Sequence, residues 1–436
     1  MKKIHLIIWP IVFCSLSTFA NRPNINAGSS TTTGPSSNNY SLSSGSYNPA
    51  MGALMVKDPE HWRLGYLPTI STEIELGNVG NFSDDLDELI DIVDDPSLAK
   101  DSVDATLDRF NTVLVAMGKD GYVKNNSLVS IPLFYRSDLL GGAISVDLNY
   151  EVQVAARILN DVLSFNQQNT TFTTNTSVYL KSGLEKDFSI AYSRSILEEK
   201  AFVRSGVLYG GVRLSAVNLQ LSKQVIWIEG VKNKELKDIV TDEYDQNLTS
   251  TNGFSVDAGL VWESPRYRLG LTVTNLNGAS FDYNRVGQDC DQAISGSTES
   301  DNCNIATYFI ETKGVLKAKE VHKKHALMSV DGLYKMTEKW RIMGSADLAK
   351  YDDVVGFENQ FFMLATTYDT ETWWLPSPRI GYQKNLAGTQ LSSINAGLTF
   401  FSVLSLDVVY GQEKTIVDNK TVPRLAGISL GFEEKF

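Results

Sequence analysis

The feature that most constrains this chain is an alternation of apolar and polar residues that keeps recurring. Ile144, Val146, Leu148, Tyr150, Val152 and Val154 alternate with Ser145, Asp147, Asn149, Glu151 and Gln153. The pattern returns at Val256, Ala258, Leu260 and Trp262, at Leu269, Leu271 and Val273, at Ile394, Ala396, Leu398 and Phe400, and at Leu404, Leu406, Val408 and Tyr410. A period of two gives strands with one apolar and one polar face. Apart from the amino terminus, no apolar run approaches the ~20 residues a membrane helix needs. Membrane insertion would therefore have to use strands, and strands cross lipid only as a closed barrel. The alternation predicts an all-β chain of about fourteen strands, within about twelve to sixteen.

The pattern alone is consistent with two folds. A soluble sandwich buries its apolar face, whereas a membrane barrel turns that face to lipid and the polar one to its lumen. Several alternating runs exceed ten residues, as tilted spanning strands require, while sandwich strands average about five or six. Trp62, Trp262, Trp340, Trp373 and Trp374 fall near predicted strand ends, where interface girdles collect. These features favour an antiparallel transmembrane β-barrel. The last stretch, Arg424 to Phe436, alternates through Ile428, Leu430 and Phe432 and stops on an aromatic residue. It resembles the terminal signal strand of bacterial outer-membrane barrels, with Glu434 at a position those signals fill with an apolar residue.

Lys2 and Lys3 precede an apolar run from Ile4 to Leu16, and Thr18-Phe19-Ala20 supplies small residues at cleavage spacing. Residues 1–20 read as a secretory signal peptide. Phe13 is too large for the site that would make Cys14 a lipid-modified cysteine. Losing Lys2 and Lys3 takes the formal net charge from −12 to −14. With no basic cluster to offset it, this argues against nucleic acid and anionic lipid headgroups as partners. Cys290 and Cys303 remain, in a polar stretch without further metal ligands or a C-x-x-C, and in an exported chain they read as a disulfide pinning a loop.

Residues 21–46 are rich in Ser, Thr, Asn and Gly and poor in apolar groups, so the expectation is a disordered leader. Residues 47–436 form the predicted barrel. Trp62 to Val79 reads as its first strand, with Leu64, Tyr66 and Ile70 on one face. Between 83 and 118 the period becomes helical. Leu86, Leu89, Ile90 and Val93 stripe a first helix ended by Pro96, and Val103, Leu107, Phe110, Leu114 and Met117 stripe a second, giving a hairpin. Its acids, with Asp84, Asp85 and Asp87 in the first turn, lack the glycine and terminal glutamate of an EF-hand and read as a solvated face. Between Leu208 and Leu221 the apolar set moves from even to odd positions near Ala216 and Val217, as at a bulge.

These residues resemble the FadL-like outer-membrane barrels, and within them the TraF-type proteins labelled conjugal transfer proteins. The matching stretches are Tyr47-Asn48-Pro49-Ala50, the hairpin end from Leu114 to Gly118, and Leu208-Tyr209-Gly210-Gly211-Val212. Later come Arg268 to Leu276 and Arg379 to Leu386. The resemblance implies a barrel of about fourteen strands, partly plugged from within, in a family whose members pass hydrophobic compounds across the outer membrane. Asn48, Pro49, Ala50 and Phe436 are the structural residues it singles out. The serine-rich leader departs from the apolar hatch of fatty-acid transporters.

Enzyme chemistry has no residue-level support. Gly427-Ile428-Ser429-Leu430-Gly431 fits the hydrolase G-x-S-x-G string, yet a nucleophile elbow needs a following helix and a later histidine, and neither can follow here. His322 and His325 flank Lys323 and Lys324 and read as a solvated loop or strand end, not a metal site. No cofactor is expected. The leading expectation is a passive channel or binding protein in the outer membrane of a Gram-negative bacterium, reached by Sec-type export. Its partners would be outer-membrane lipid, the barrel-insertion machinery acting on the C-terminal strand, and a hydrophobic or amphipathic small molecule. The acidic hairpin would lie in or beneath the lumen, which Asp147, Asn149, Glu151, Asp257 and Asp407 would line. The alternatives are a structural part of an envelope conjugation or secretion assembly, presenting the Cys290–Cys303 loop, and a soluble exported β-sandwich binding module.

Overall fold

In the computed structural model the described residues are 26–56, 61–65, 67–78, 82–199, 206–230, 244, 247–370, 372–417 and 420–432. The expected signal peptide and the terminal Phe436 lie outside them.

Fourteen antiparallel strands close into a barrel. They are β1 (Thr69–Leu76), β2 (Tyr122–Ser137), β3 (Gly142–Leu159), β4 (Ser177–Glu199), β5 (Gly206–Trp227), β6 (Thr249–Glu263) and β7 (Tyr267–Thr274). The second half comprises β8 (Leu327–Lys335), β9 (Trp340–Asp347), β10 (Phe361–Tyr368), β11 (Ser377–Asn385), β12 (Ser392–Phe400), β13 (Leu404–Gly411) and β14 (Leu425–Phe432). Each pairs with its neighbours in sequence, and β1 pairs with β14, placing Ile70 opposite Leu430. No edge is left for lipid to meet.

The wall is amphipathic in the sense a membrane requires. Val212, Leu214 and Leu269 point outward at 57, 59 and 57% exposure, while Asp147 and Asp407 point inward at 1 and 0%. A soluble sandwich would bury the first set and wet the second, so that alternative is excluded. Trp62 stacks on Tyr135 at 4.2 Å, Trp340 on Tyr368 at 6.0 Å and Trp373 on Phe401 at 5.6 Å. All lie at one rim, where the connections 138–141, 264–266, 336–339 and 401–403 are short. The opposite rim carries the long loops.

Two strand readings change. The first strand is interrupted: Trp62–Leu64 pairs with the end of β2, and β1 resumes at Thr69 after Pro68, which has no N–H to give a ladder. No bulge occurs near Ala216. β5 keeps register with β6 from Val207 to Leu221, and the irregularity in its pairing with β4 is at Ser195/Leu197. The apolar residues change faces there because the strand passes from the lipid band to a level where loops fill the barrel. Val217, Leu219 and Leu221 pack inward against Phe281, Val354 and Phe357.

The hairpin forms as its stripes predict, from Phe82–Asp94 and Val103–Asp120. The Ser102 side chain caps the second helix by accepting from the Ala105 N–H at 3.4 Å. Arg109 forks onto Glu88 at 3.1 and 2.8 Å, joining the helices. The hairpin is not in or beneath the lumen. It connects β1 to β2 at the long-loop rim, where Leu89, Ile92, Phe110 and Leu114 bury against Leu163, Phe172 and Ile226.

Candidate functional site

The lumen is sealed twice, by different parts of the chain. The expected leader is not a free segment: from Asn26 onward it threads the short-turn half of the barrel, and most of it is buried. Its composition carries too little apolar surface to fold alone. Inside a polar lumen, however, hydroxyl and amide groups find partners that replace water. It contains α1 (Ser30–Thr33) and α2 (Leu42–Gly45), and the plug continues beyond it through a 3-10 turn over Pro49–Met51 into α3 (Gly52–Met55).

Polar contacts hold the first part. The Gly28 N–H donates to Ser429 Oγ at 2.8 Å, Asn395 Nδ2 donates to the Thr31 carbonyl at 2.8 Å, and the Ser37 N–H donates to Asp331 Oδ1 at 2.5 Å. Thr32 donates to Asp407, and Ser46 Oγ to Asp147 Oδ1 at 2.5 Å. Ser429, the centre of the hydrolase-like string, thus lies mid-strand and serves the plug. A set of inward arginines near the short-turn rim completes the grip. Arg63 Nη1 and Arg268 Nη1 reach the Asn39 carbonyl and Oδ1, each at 2.6 Å. Arg341 stacks 3.6 Å from the centre of the Tyr40 ring while pairing with Asp369 at 2.5 Å. Arg379 forks onto Asp407 at 2.7 and 2.5 Å.

The second part is anchored differently. Asn48 Nδ2 donates to the Leu260 and Leu271 carbonyls at 3.2 and 3.4 Å, and its Oδ1 accepts from the Ala50 N–H at 2.9 Å. Pro49 lies on Gly211, where an added Cβ would come 2.3 Å from the Pro49 carbonyl oxygen, and Gly211 is the cross-strand partner of Gly259. A Cβ on Gly259 would come 2.0 Å from Asn48 Oδ1, so this pair of bare positions is the platform the turn requires. Met51, Leu54, Met55 and Val56 then bury against Phe134 and Val261.

At the long-loop end the seal is made by ribbons folded into the barrel, Ser280–Asp282 paired with Val321–Lys323 and Tyr351–Asp352 paired with Glu358–Asn359. Lys124 meets Asp353 at 2.6 Å, Lys181 meets Glu320 at 2.6 Å, and Lys324 pairs with Glu185. His322 is buried in this lid and not solvated, because its ribbon turns inward. Burial, reinforced by the Lys324 charge, pushes its pKa down to about 3. Beyond the ribbon, and after the hairpin helices α4 (Phe82–Asp94) and α5 (Val103–Asp120), Cys290 and Cys303 form a disulfide that ties the loop to α6 (Thr298–Glu311).

Between the seals lies a cavity of about 90 Å3, bordered by Glu151, Glu185, Asp187, Asp257, Arg213 and Lys324. That is room for roughly six waters. Arg213 stands 3.6 Å from Asp257 and 3.8 Å from Asp147, forming two long ion pairs across the cavity. Of the lumen residues anticipated from sequence, Asn149, Glu151 and Asp257 border this cavity, while Asp147 and Asp407 hold the plug. The inward arginines and lysines were not anticipated. Their only signal is position: Arg268 and Arg341 are each the second residue of a strand, on its polar face.

A closed β-barrel filled by its own amino-terminal segment is the class this architecture defines. The family model described as "F plasmid transfer operon, TraF, protein" matches residues 45–347, and the chain belongs to that family. No curated protein matches it in sequence. Among solved structures it is similar to a Pseudomonas aeruginosa FadL homologue, at 12% identity over 95% of this chain and 98% of that one, with a TM-score of 0.45. It is likewise similar to the Ralstonia pickettii toluene transporter TbuX, at 11% identity over 95% and 99%, with a TM-score of 0.46.

Proposed function

We propose that the chain is an outer-membrane channel or binding protein for small molecules, gated at its short-turn end by residues 26–46. The observation that carries this reading is the polar cavity held between a plug and a lid. Its charged border favours amphipathic solutes with a polar head over the wholly apolar compounds that the resemblance also implies. For such solutes to pass, the plug must shift. Its grip through hydroxyls and arginines can exchange for water at lower cost than an apolar core could. Sec-type export and insertion through the C-terminal strand complete the proposal. The test is reconstitution of the purified full-length protein in liposomes with candidate amphipathic solutes. Swelling that depends on the protein supports the channel, whereas binding without swelling leaves a binding protein. Neither would remove the function, though the barrel would stand.

A second reading is supported by the disulfide-tied α6 at the long-loop surface and by the transfer operon in the family's description. In it the chain is a structural component of an envelope conjugation or secretion assembly. Deleting Gly287 to Asn304 should then abolish partner capture while heat-modifiable migration on a denaturing gel persists. Unchanged capture would count against it.

A further inference from the structure

The outer wall carries a groove of about 430 Å3 near the top of the lipid-facing band. Its floor is a row of cross-strand partners across four strands: Ile131 faces Leu148, Leu148 faces Phe188, and Phe188 faces Ala216. Ala216 is flanked on its other side by Phe254. One methyl group between two phenyl rings makes the dent.

One register step nearer the long-loop end, the outward row is Tyr150, Lys186, Asn218 and Asn252. Lys186 is exposed and has no hydrogen bond or ion pair among the described residues. At outward strand positions whose side chains are described, the charged residues are Lys186, Arg194 and Lys384. On a chain of formal net charge −12 this is selective, since the lumen holds both acids and cations while the charges at these outward positions are cations. An apolar trough ending at an unpaired cation complements a lipid, the chain lying in the trough and a phosphate meeting the ammonium.

We propose that this groove binds one phosphorylated glycolipid of the outer leaflet, a lipid A molecule. One acyl chain lies over Leu148, Phe188 and Ala216, and a phosphate sits on Lys186. The proposal depends on the outer-membrane placement above but not on the channel. It also revises the expectation that an acidic chain avoids anionic headgroups. Net charge governs long-range attraction, and a single well-placed cation governs the contact.

The experiment is native mass spectrometry of the full-length barrel in detergent, with lipid A, phosphatidylglycerol or phosphatidylcholine added. Folding is checked by heat-modifiable migration. The wild type should retain lipid A above the other two. Lys186→Glu should reduce retention by at least about fivefold, the effect of losing one cation at an anionic surface, and Lys186→Arg should keep it. Ala216→Phe, which fills the dent without touching the charge, should reduce retention as well. Equal retention by Lys186→Glu, equal retention of phosphatidylcholine, or a preference for phosphatidylglycerol would each overturn the proposal. A folded barrel that binds no lipid A but passes solute would leave the channel standing without it.

Discussion

The two halves of the plug fill the same lumen by opposite means. From Asn26 to Ser46 the segment is held by hydroxyls, amides and the arginines at 63, 268 and 341, with Arg379 acting through Asp407 and with Leu42 as its main apolar contact. From Asn48 to Val56 it is held by a turn seated on bare glycines and by Met51, Leu54 and Met55 packed on Phe134 and Val261. Polar contacts in a lumen that can admit water are nearly exchangeable, because each lost hydrogen bond has a solvent replacement. Apolar packing has none. The contrast makes the first half a gate and the second half its hinge.

The largest break of this comparison would come from deleting residues 26–46. The shortened protein in planar bilayers should conduct where the full chain is silent. Continued silence would mean that the long-loop lid seals the lumen unaided. Next, Phe134→Ala should lower stability by about 3–5 kcal/mol, as large truncations of buried aromatics do. Ser43→Ala, which removes hydroxyl contacts to Ser30 and Ser41 inside the polar half, should cost only about 0.5–1.5 kcal/mol. Midpoints of the heat-modifiable gel shift would compare the two, and equal losses would erase the distinction between gate and hinge.

A finer test bears on the gate's latch. Arg379→Lys keeps the charge but loses the fork onto Asp407, which should weaken plug docking by about 1.5–3 kcal/mol. A Thr32→Cys reporter should then label faster with a thiol reagent, and an unchanged rate would remove Arg379 from the latch. The smallest effect expected is at the other seal. His322 is held neutral, with its pKa lowered to about 3 from 6.5. The unfolded ribbon takes up a proton that the folded one refuses. Its contribution is therefore complete above about pH 6.5 and is lost as pH falls toward 3. The protection of amides 318–326 against hydrogen exchange, corrected for the intrinsic pH dependence of exchange, should fall between pH 7 and pH 5 in the wild type and change less in His322→Gln. Equal pH dependence would show that other groups control the lid.

The alternation through Ile144 to Val154 determined the strands, their number and their faces, because a side chain's face in a strand depends only on parity along the chain. The helical stripes from Leu89 to Met117 determined the hairpin for the same local reason. What the apolar face would meet was not local, and closure of β1 on β14 decided for lipid. The serine-rich stretch after Asn26 looked unable to order because its partners, Asp331, Asn395, Asp407 and Ser429, lie some three to four hundred residues later. Ala216 and Val217 looked like a bulge because a strand that leaves the membrane changes its surroundings without changing its register. The sequence by itself determined the periodic elements. Only the tertiary structure decided which polar groups would be buried together, because that pairing is set by how the wall closes and not by neighbours along the chain.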